Sequence, residues 1–367
     1  ALRQFELAMV PFRRREHNWG HLMEERLQRS SELLRSVVQR TSSRPKPAAP
    51  TDESLPWLAE ACDPSEAGWR LAEIGCGMKI RAARLLRHKP GRRAVIEYCL
   101  GGENAGDAVR LVGKTEYKSR QRKRMATQRL LWDAGFDSAA PDGISVTRPL
   151  GEVPEWNMWL QEHAEGENGW DALRGPYAIN AARLAARALA KLHRSRITAP
   201  KQHNYMDEQA ILNDRLTTAS HMAPDLSPRI DRLRDHCSRL LNSVKEPPDA
   251  LLHRDFYPDQ MLFHRDRVTL LDLDLICRGP ASIDVGNFLG HLAEMGIRRS
   301  SDPNYFAEVE RAFLETYLKE RPSVELRSIA ISKLATLARH AYISQMHVGR
   351  RAFTSEILFH CELLLAN

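Results

Sequence analysis

The stretch Leu251–Leu289, LLHRDFYPDQMLFHRDRVTLLDLDLICRGPASIDVGNFL, constrains this chain more than any other. An apolar lead-in ends on His253, Arg254 and Asp255, and an amide, Gln260, stands five positions beyond that aspartate. A short basic turn separates these from VTLLDLDLI, which carries Asp272 and Asp274, and Asp284 follows. Short apolar runs bounded by turn residues read as strands, so the pattern predicts a hairpin with carboxylates at its ends. Carboxylates without partners are costly in so apolar a run. Asp272 and Asp274 are two apart and on a strand would share one face. Concentrating charge in this way calls for a cation among the carboxylates, either a shared metal ion or neighbouring arginines.

Length and composition set the outer limits. At 367 residues with 43% hydrophobic content, the chain is long enough for two packed lobes or domains. Its formal net charge of +7 fits either an arginine-rich solvated surface or an anionic partner such as a nucleotide. No DNA- or RNA-binding signature is present, so nucleotide is preferred over nucleic acid. Six cysteines lie scattered without C-x-x-C spacing, which argues against a thiolate metal site or a disulfide framework and for a reducing compartment. With no apolar run long enough to span a bilayer and no leader-like apolar segment, the expected location is cytoplasmic.

Residues 1–40 read as a basic amphipathic helix, with Leu22, Leu27, Leu33, Leu34 and Val37 on its apolar spacing. Such an arm packs on its own domain, contacts a second copy as a homodimer, or meets a membrane surface or another partner. Residues 41–56, TSSRPKPAAPTDESLP, read as linker or ordered loop. From Trp69 the texture suggests short strands, broken by Gly75-Cys76-Gly77 and by a KPG hairpin signal. The Gly75/Gly77 turn is either a plain turn or a loop whose amides approach phosphates. AVRLVGK reads as a strand carrying Lys114, and KSRQRKRMATQRLLWDAGF as a basic helix with a solvated charged face. A strand over Trp156–Glu162 and a helix over INAARLAARALAKLHRS follow, the latter placing His193 as a packed or capping residue. Helices are expected over 205–247, broken at APDLSP, and in three segments over 300–364. The expected domains are an arm and linker at 1–56, a nucleotide-binding N-lobe at 57–160 and a C-lobe at 161–367.

HRDFYPDQ, LLDLD and GPASIDVG, in that order, resemble the motifs of the aminoglycoside phosphotransferase and choline kinase group of the protein-kinase-like fold. That family shows His-Gly-Asp-x-x-x-x-Asn, then Ile-Asp-x-Glu or Ile-Asp-x-Asp, then Gly-Asp-Pro-x-x-Asp-Leu. The helix ending AKLH and the strand–turn WLQEHAEGE, similar to the family hinge, extend the resemblance over roughly residues 69–320. It implies an α+β, protein-kinase-like two-lobe fold: a small β-rich N-lobe, a larger mainly helical C-lobe and, here, an extra N-terminal helical arm.

The resemblance also implies roles. Asp255 stands for the catalytic aspartate that orients or deprotonates an acceptor hydroxyl, with His253 and Arg254 bracing its loop. Asp272 stands for the magnesium-binding aspartate, and Gln260 for the metal-binding asparagine, as in maltokinase-like relatives. Asp274 is a second metal ligand or a loop anchor, and Asp284 ties the loop to a helix. Lys114 stands for the lysine on the α- and β-phosphates of ATP, with a surface lysine as the other reading. The glutamate that the family sets on the next helix is missing from RKRMATQR, which leaves Glu97 or Glu116 as substitutes. Gln161, Glu162 and His163 would form the adenine-binding hinge. The implied activity is ATP- and Mg2+-dependent phosphoryl transfer to a small hydroxylated substrate (a sugar, aminoglycoside-like compound or amino alcohol), with a silent nucleotide-binding scaffold and a protein kinase as alternatives. For the acceptor, acidic walls from Asp225, Glu294 and Glu310 and basic ones from Arg298 and Arg299 both stand open.

Overall fold

The computed structural model describes residues 50–73, 79–101, 109–118, 120–199 and 201–366. The expected helix over 1–40 and the Gly75/Gly77 turn lie outside the described residues. Every element below belongs to the compact unit Asp52–Asn367.

A helix α1 (Pro64–Glu73) precedes strands β1 (Ile80–Lys89) and β2 (Arg93–Leu100). The expected strand starting at Trp69 is therefore the second half of α1: Ala67 and Leu71, four apart, are its buried residues. The KPG signal does form the β1–β2 hairpin, with Gly91 in the left-handed region at φ 70°. Next come β3 (Val109–Glu116), α2 (Gln121–Asp133), β4 (Ile144–Val146), β5 (Pro149–Val153) and β6 (Met158–Glu162). The expected last strand of this group starts at Met158 rather than Trp156, because Pro154–Trp156 forms a 3-10 turn.

The five-stranded sheet runs β1-β2-β3-β6-β5, antiparallel at each pairing. Lys114 lies opposite Val95 on one side and Trp159 on the other, and Val112 lies opposite Glu97 and Gln161. Strand alternation thus puts Val95, Glu97, Val112, Lys114, Trp159 and Gln161 on one face. The other face buries Ile96, Tyr98, Met158 and Leu160 against Leu55, Leu58 and Leu71. Gly113 on that face has no room for a side chain, since a Cβ would sit 2.6 Å from Met158 Sδ and 2.9 Å from Tyr98 Cε2. Leu55 is fully buried, and the indole of Trp57 donates to Thr115 Oγ1 at 2.7 Å. The end of the proline-rich segment is therefore core and not linker, a correction that its composition conceals.

The helical part begins after β7 (Glu167–Asn168) with α3 (Ala178–Arg194), whose alanines and Leu184, Leu189 and Leu192 form a buried stripe. Helix α4 (Tyr205–Met222) opens on a capping box: Asn204 Oδ1 accepts from the amides of Met206 and Asp207, and Asp207 accepts from the Asn204 amide. The APDLSP break leads into α5 (Ser227–Ser243). Strands β8 (Ala250–Leu252), β9 (Met261–His264), β10 (Arg267–Leu270) and β11 (Cys277–Gly279) carry the central motif. They form two small sheets, β4-β10-β9-β7 and β11-β8. Helices α6 (Ser282–Ser300), α7 (Ala307–Glu320), α8 (Leu326–Met346) and α9 (Thr354–Ala366) complete the chain. Helices α6 and α8 touch through small residues: a Cβ on Gly286 would lie 2.3 Å from Ser332 Cβ, and one on Gly290 2.6 Å from Thr336 Cγ2. A β-rich N-lobe and a mainly helical C-lobe result, as the motifs imply.

Candidate active site

Strand β8 delivers His253, Arg254 and Asp255 to a loop held from behind. His253 is fully buried, its Nε2 lies 2.9 Å from the Leu271 carbonyl oxygen, and its ring meets Phe256 edge-on at 5.8 Å. Asp284, buried in the first turn of α6, accepts the His253 amide at 2.6 Å on Oδ2 and the Arg254 amide at 2.7 Å on Oδ1. Its Oδ2 also faces His193 Nε2 at 3.1 Å, and the other nitrogen of that ring meets Tyr317 Oη at 2.7 Å. His193 is thus a packed residue, as the sequence suggests, and it links three helices. The two amide bonds hold Arg254 at φ 67°, a left-handed conformation that costs a non-glycine residue about 1–2 kcal/mol. Asp284 thus fixes the backbone at His253 and Arg254, and Asp255 follows in the bend.

Strand β10 ends at Leu270, so Asp272 and Asp274 do not lie on a strand and the shared-face argument does not apply. Asp272 is left-handed at φ 53° and leads into the 3-10 turn Leu273–Leu275. That turn still brings the two carboxylates into contact. Asp274 sits 2.7 Å from Arg124 Nη1 and 3.8 Å from Arg93 Nη1, so its charge is met by arginine. Burial, reinforced by the charge of Asp272, pushes the Asp274 carboxyl up to about 6. Asp272 has no ion-pair partner among the described residues. Burial pushes its pKa upward, but Lys114, the hydrogen bond with Asp274 and Arg93 more than offset that, and the net direction is downward. Burial raises Asp255, with the Asp272 charge adding and the nearby His253 opposing. Gln260 Nε2 lies 3.5 Å from Asp255 Oδ2, and the Gln260 side chain also hydrogen-bonds Tyr257.

Asp272 and the amide oxygen of Gln260, both on the lining of one cleft, are hard-oxygen donors of the kind that suits a magnesium ion. Among the described residues no group of three or more His, Cys, Asp or Glu converges on one point, so the chain would supply only part of such a shell. Magnesium characteristically takes the remainder from water and substrate phosphates.

Lys114 projects from the inner face of the sheet, its Nζ 4.9 Å from the Trp159 ring centroid. It is partly exposed along the cleft, and desolvation of the ammonium lowers its pKa while Asp272 and Asp274 oppose that. Neither substitute glutamate reaches it. Glu97 pairs with Arg84 at 2.9 Å and His163 at 3.3 Å, and Glu116 pairs with Arg124 at 3.1 Å. Helix α2 brings Arg124 to the cleft that Lys114 lines, and the carboxylates that act on Lys114 are Asp272 and Asp274 of the turn. Of the three residues expected to form a hinge, Gln161 and His163 line the cleft and Glu162 does not. The amides of Glu162 and His163 are committed to the carbonyls of Arg148 and Arg110 at 3.0 Å. Ala164, next in the chain, also lines the cleft and was missed in the sequence, where alanine carries no signal.

Two clefts meet at Asp272 and Asp274. One, of about 340 Å³, is lined by Lys114, Trp159, Gln161, His163, Ala164 and Gln260. The other, of about 530 Å³, is lined by Asp255, Arg254, Lys201 and the α2 residues Lys123, Arg124 and Thr127. Arg93, Arg124, Asp272 and Asp274 line both. Arg120, Lys123, Arg124 and Thr127 all line the second cleft and fall at i, i+3, i+4 and i+7, one helical face. The α2 charge run is thus not simply solvated, and that spacing was the available signal. The proposed acceptor residues Asp225, Glu294, Glu310, Arg298 and Arg299 line neither cleft. Glu294 is tied to Arg298 and Glu310 to Lys333, each at 2.5 Å, and Asp225 is exposed in a turn.

Among solved structures, a choline/ethanolamine kinase family protein from Mesorhizobium loti is similar at 16% identity and a TM-score of 0.54, covering 83% of this chain and 95% of its own. A glucosamine kinase in complex with glucosamine, ADP and inorganic phosphate is similar at 18% identity and a TM-score of 0.55, over 83% of this chain and 87% of that one. The ADP-bound aminoglycoside phosphotransferase APH(2'')-Ib is similar at 15% identity and a TM-score of 0.52, over 81% and 96%. These likenesses give the fold. No curated protein matches the sequence. The APH model, described as the phosphotransferase enzyme family, matches residues 103–324, more than half of the chain and all of the motif-bearing stretch. This chain belongs to the phosphotransferase enzyme family.

Proposed function

We propose that the protein is an ATP-dependent small-molecule kinase that transfers the γ-phosphoryl group to a hydroxyl, with Asp255 as the base. The observation that carries this reading is the division of labour between the two clefts. Lys114, the hinge and Gln260 line one, Asp255 lines the other, and Asp272 stands at their junction. A donor in the first cleft and an acceptor in the second would meet there.

In the proposed reaction the acceptor oxygen attacks the γ-phosphorus, the new O–P bond forms and the bridging P–O bond to the β-phosphate breaks. The electron pair leaves on ADP, and the hydroxyl proton passes to Asp255. The upward shift of the Asp255 carboxyl makes it a better proton acceptor than an exposed aspartate. In this reading Lys114 would draw the α- and β-phosphates, and Trp159, Val95 and Val112, which line the same cleft, would give apolar walls for a base. Asp272 and Gln260 Oε1 are the residues that would hold magnesium, which when bound neutralises phosphate charge. Catalysis then rests mainly on positioning and charge stabilisation.

The test is ADP formation by the purified protein with hydroxylated metabolite pools, with and without Mg2+. Asp255→Ala is expected to keep nucleotide binding and to lose about 10²-fold or more in transfer. Full activity in that variant would remove Asp255 as the base. A protein that binds ADP but never consumes ATP would instead be the silent scaffold.

A further inference from the structure

The second cleft carries an excess of positive charge that the proposed chemistry alone does not require. Arg120, Lys123, Lys201 and Arg254 line it, and none has a carboxylate within ion-pair distance among the described residues. The Nε of Arg254 is buried with no hydrogen-bond partner. Arg93 and Arg124 add two more cations, with Asp274 already taken up between them. Arg120, Lys123 and Lys201 are exposed at the cleft and Arg254 is half-buried; like charges gathered in one concavity repel one another, and a bound anion relieves that cost.

From this we infer that the cleft binds an acceptor bearing an anionic group, phosphate or carboxylate, together with the hydroxyl to be phosphorylated. This rests on the kinase reading above and narrows its substrate class. Three observations carry it. The cleft has the size of a small-molecule site, about 530 Å³. Its cations come from three separate segments, α2, the Lys201 loop and the loop after β8, so they converge by tertiary structure and not as a surface run. Asp255 lines the same cleft, so a ligand anchored there by its anion would have its remaining atoms within the cleft that holds the proposed base. A cationic acceptor would meet like charge here and be rejected. The acidic side chains that would welcome one, Glu294 and Glu310, are paired with Arg298 and Lys333 elsewhere.

The test uses the full chain and a Lys123→Ala/Lys201→Ala variant, since both lysines line only the second cleft. Inorganic phosphate is titrated by calorimetry into protein saturated with ADP and Mg2+, at constant ionic strength. Phosphate is expected to bind the variant roughly tenfold or more weakly, from the loss of two charge-assisted contacts, while ADP affinity is unchanged. Equal phosphate affinity in the two proteins would overturn the inference. In parallel, matched acceptors with and without a phosphate or carboxylate are compared by turnover. Preference for the anionic member, with KM raised about tenfold in the variant, supports the inference. Preference for neutral or cationic hydroxyl compounds, with KM unmoved, overturns it and leaves the kinase reading standing. Failure to bind ADP or consume ATP strikes the kinase reading and with it the acceptor assignment, while phosphate titrated without nucleotide still decides whether the cleft binds an anion.

Discussion

The most demanding prediction concerns Asp284→Asn. The native carboxylate serves two backbone amides and one imidazole: His253 N–H at 2.6 Å, Arg254 N–H at 2.7 Å and His193 Nε2 at 3.1 Å. Asparagine offers one oxygen and one NH2. Whichever way the amide is turned, one loop N–H faces a donor and is left unsatisfied in a fully buried site. His193 adapts by exchanging tautomers, so the main cost is the lost charge-assisted bond with its stranded amide, about 3 kcal/mol. For a unit spanning Asp52–Asn367 this corresponds to a fall in Tm of roughly 5 °C. The same change removes half of the restraint on the left-handed Arg254, so Asp255 shifts, and a displacement of about 1 Å costs on the order of 10²-fold in rate. Nucleotide affinity should hold, because Lys114, Trp159 and the hinge belong to the other sheet. Thermal denaturation, ADP binding and ATP turnover read the three effects separately. A variant with Tm within 1 °C and a rate within about twofold of the parent would refute the claim that Asp284 positions the loop.

Gly286→Ala should part α6 from α8, since its Cβ would meet Ser332 Cβ at 2.3 Å and Lys333 N at 2.5 Å; an expected loss of about 1–3 kcal/mol is read by denaturant titration, and unchanged stability would contradict the close crossing. His340 is almost fully buried with neither ring nitrogen hydrogen-bonded, and burial, with His291 and nearby arginines, holds its pKa well below the ordinary value. Its folded pKa is depressed, so the unfolded chain binds the extra proton and stability falls as pH drops below about 6.5, a window shared with the neighbouring His291, which burial lowers to about 3. His340→Gln should flatten that acid limb in denaturation curves taken from pH 7 to 5, and an unaltered slope would exclude His340 as its source. Arg124→Gln should cost about 1–2 kcal/mol by stranding Asp274, the pair being only partly screened by solvent; a double-mutant cycle with Asp274→Asn that returns no coupling would remove that ion pair from the account.

The β9–β10 hairpin and the loop before it were legible because their information is local. Short apolar strands, a fixed five-residue step from Asp255 to Gln260 and a turn between them all sit within one stretch. The KPG hairpin and the helices over 178–194, 205–243 and 307–366 were readable for the same reason, through turn chemistry and apolar period. Trp69–Glu73 misled because a few mixed residues satisfy either period until the partner surface is known. The segment around Leu55 misled because its proline-rich composition says nothing of the groove under the sheet that receives it.

What the sequence by itself determined is the order of the elements, the identity of the carboxylates and the kinase-like motif. What only the tertiary structure decided is which charges answer which. Arg124 meets Asp274 and Glu116, Glu294 turns to Arg298, and four cations from three segments share a cleft with Asp255 without an ion-pair partner among the described residues. Charge type is written in each residue, but Coulomb energy depends on distance and desolvation, and both arise only when segments far apart in the chain are packed together.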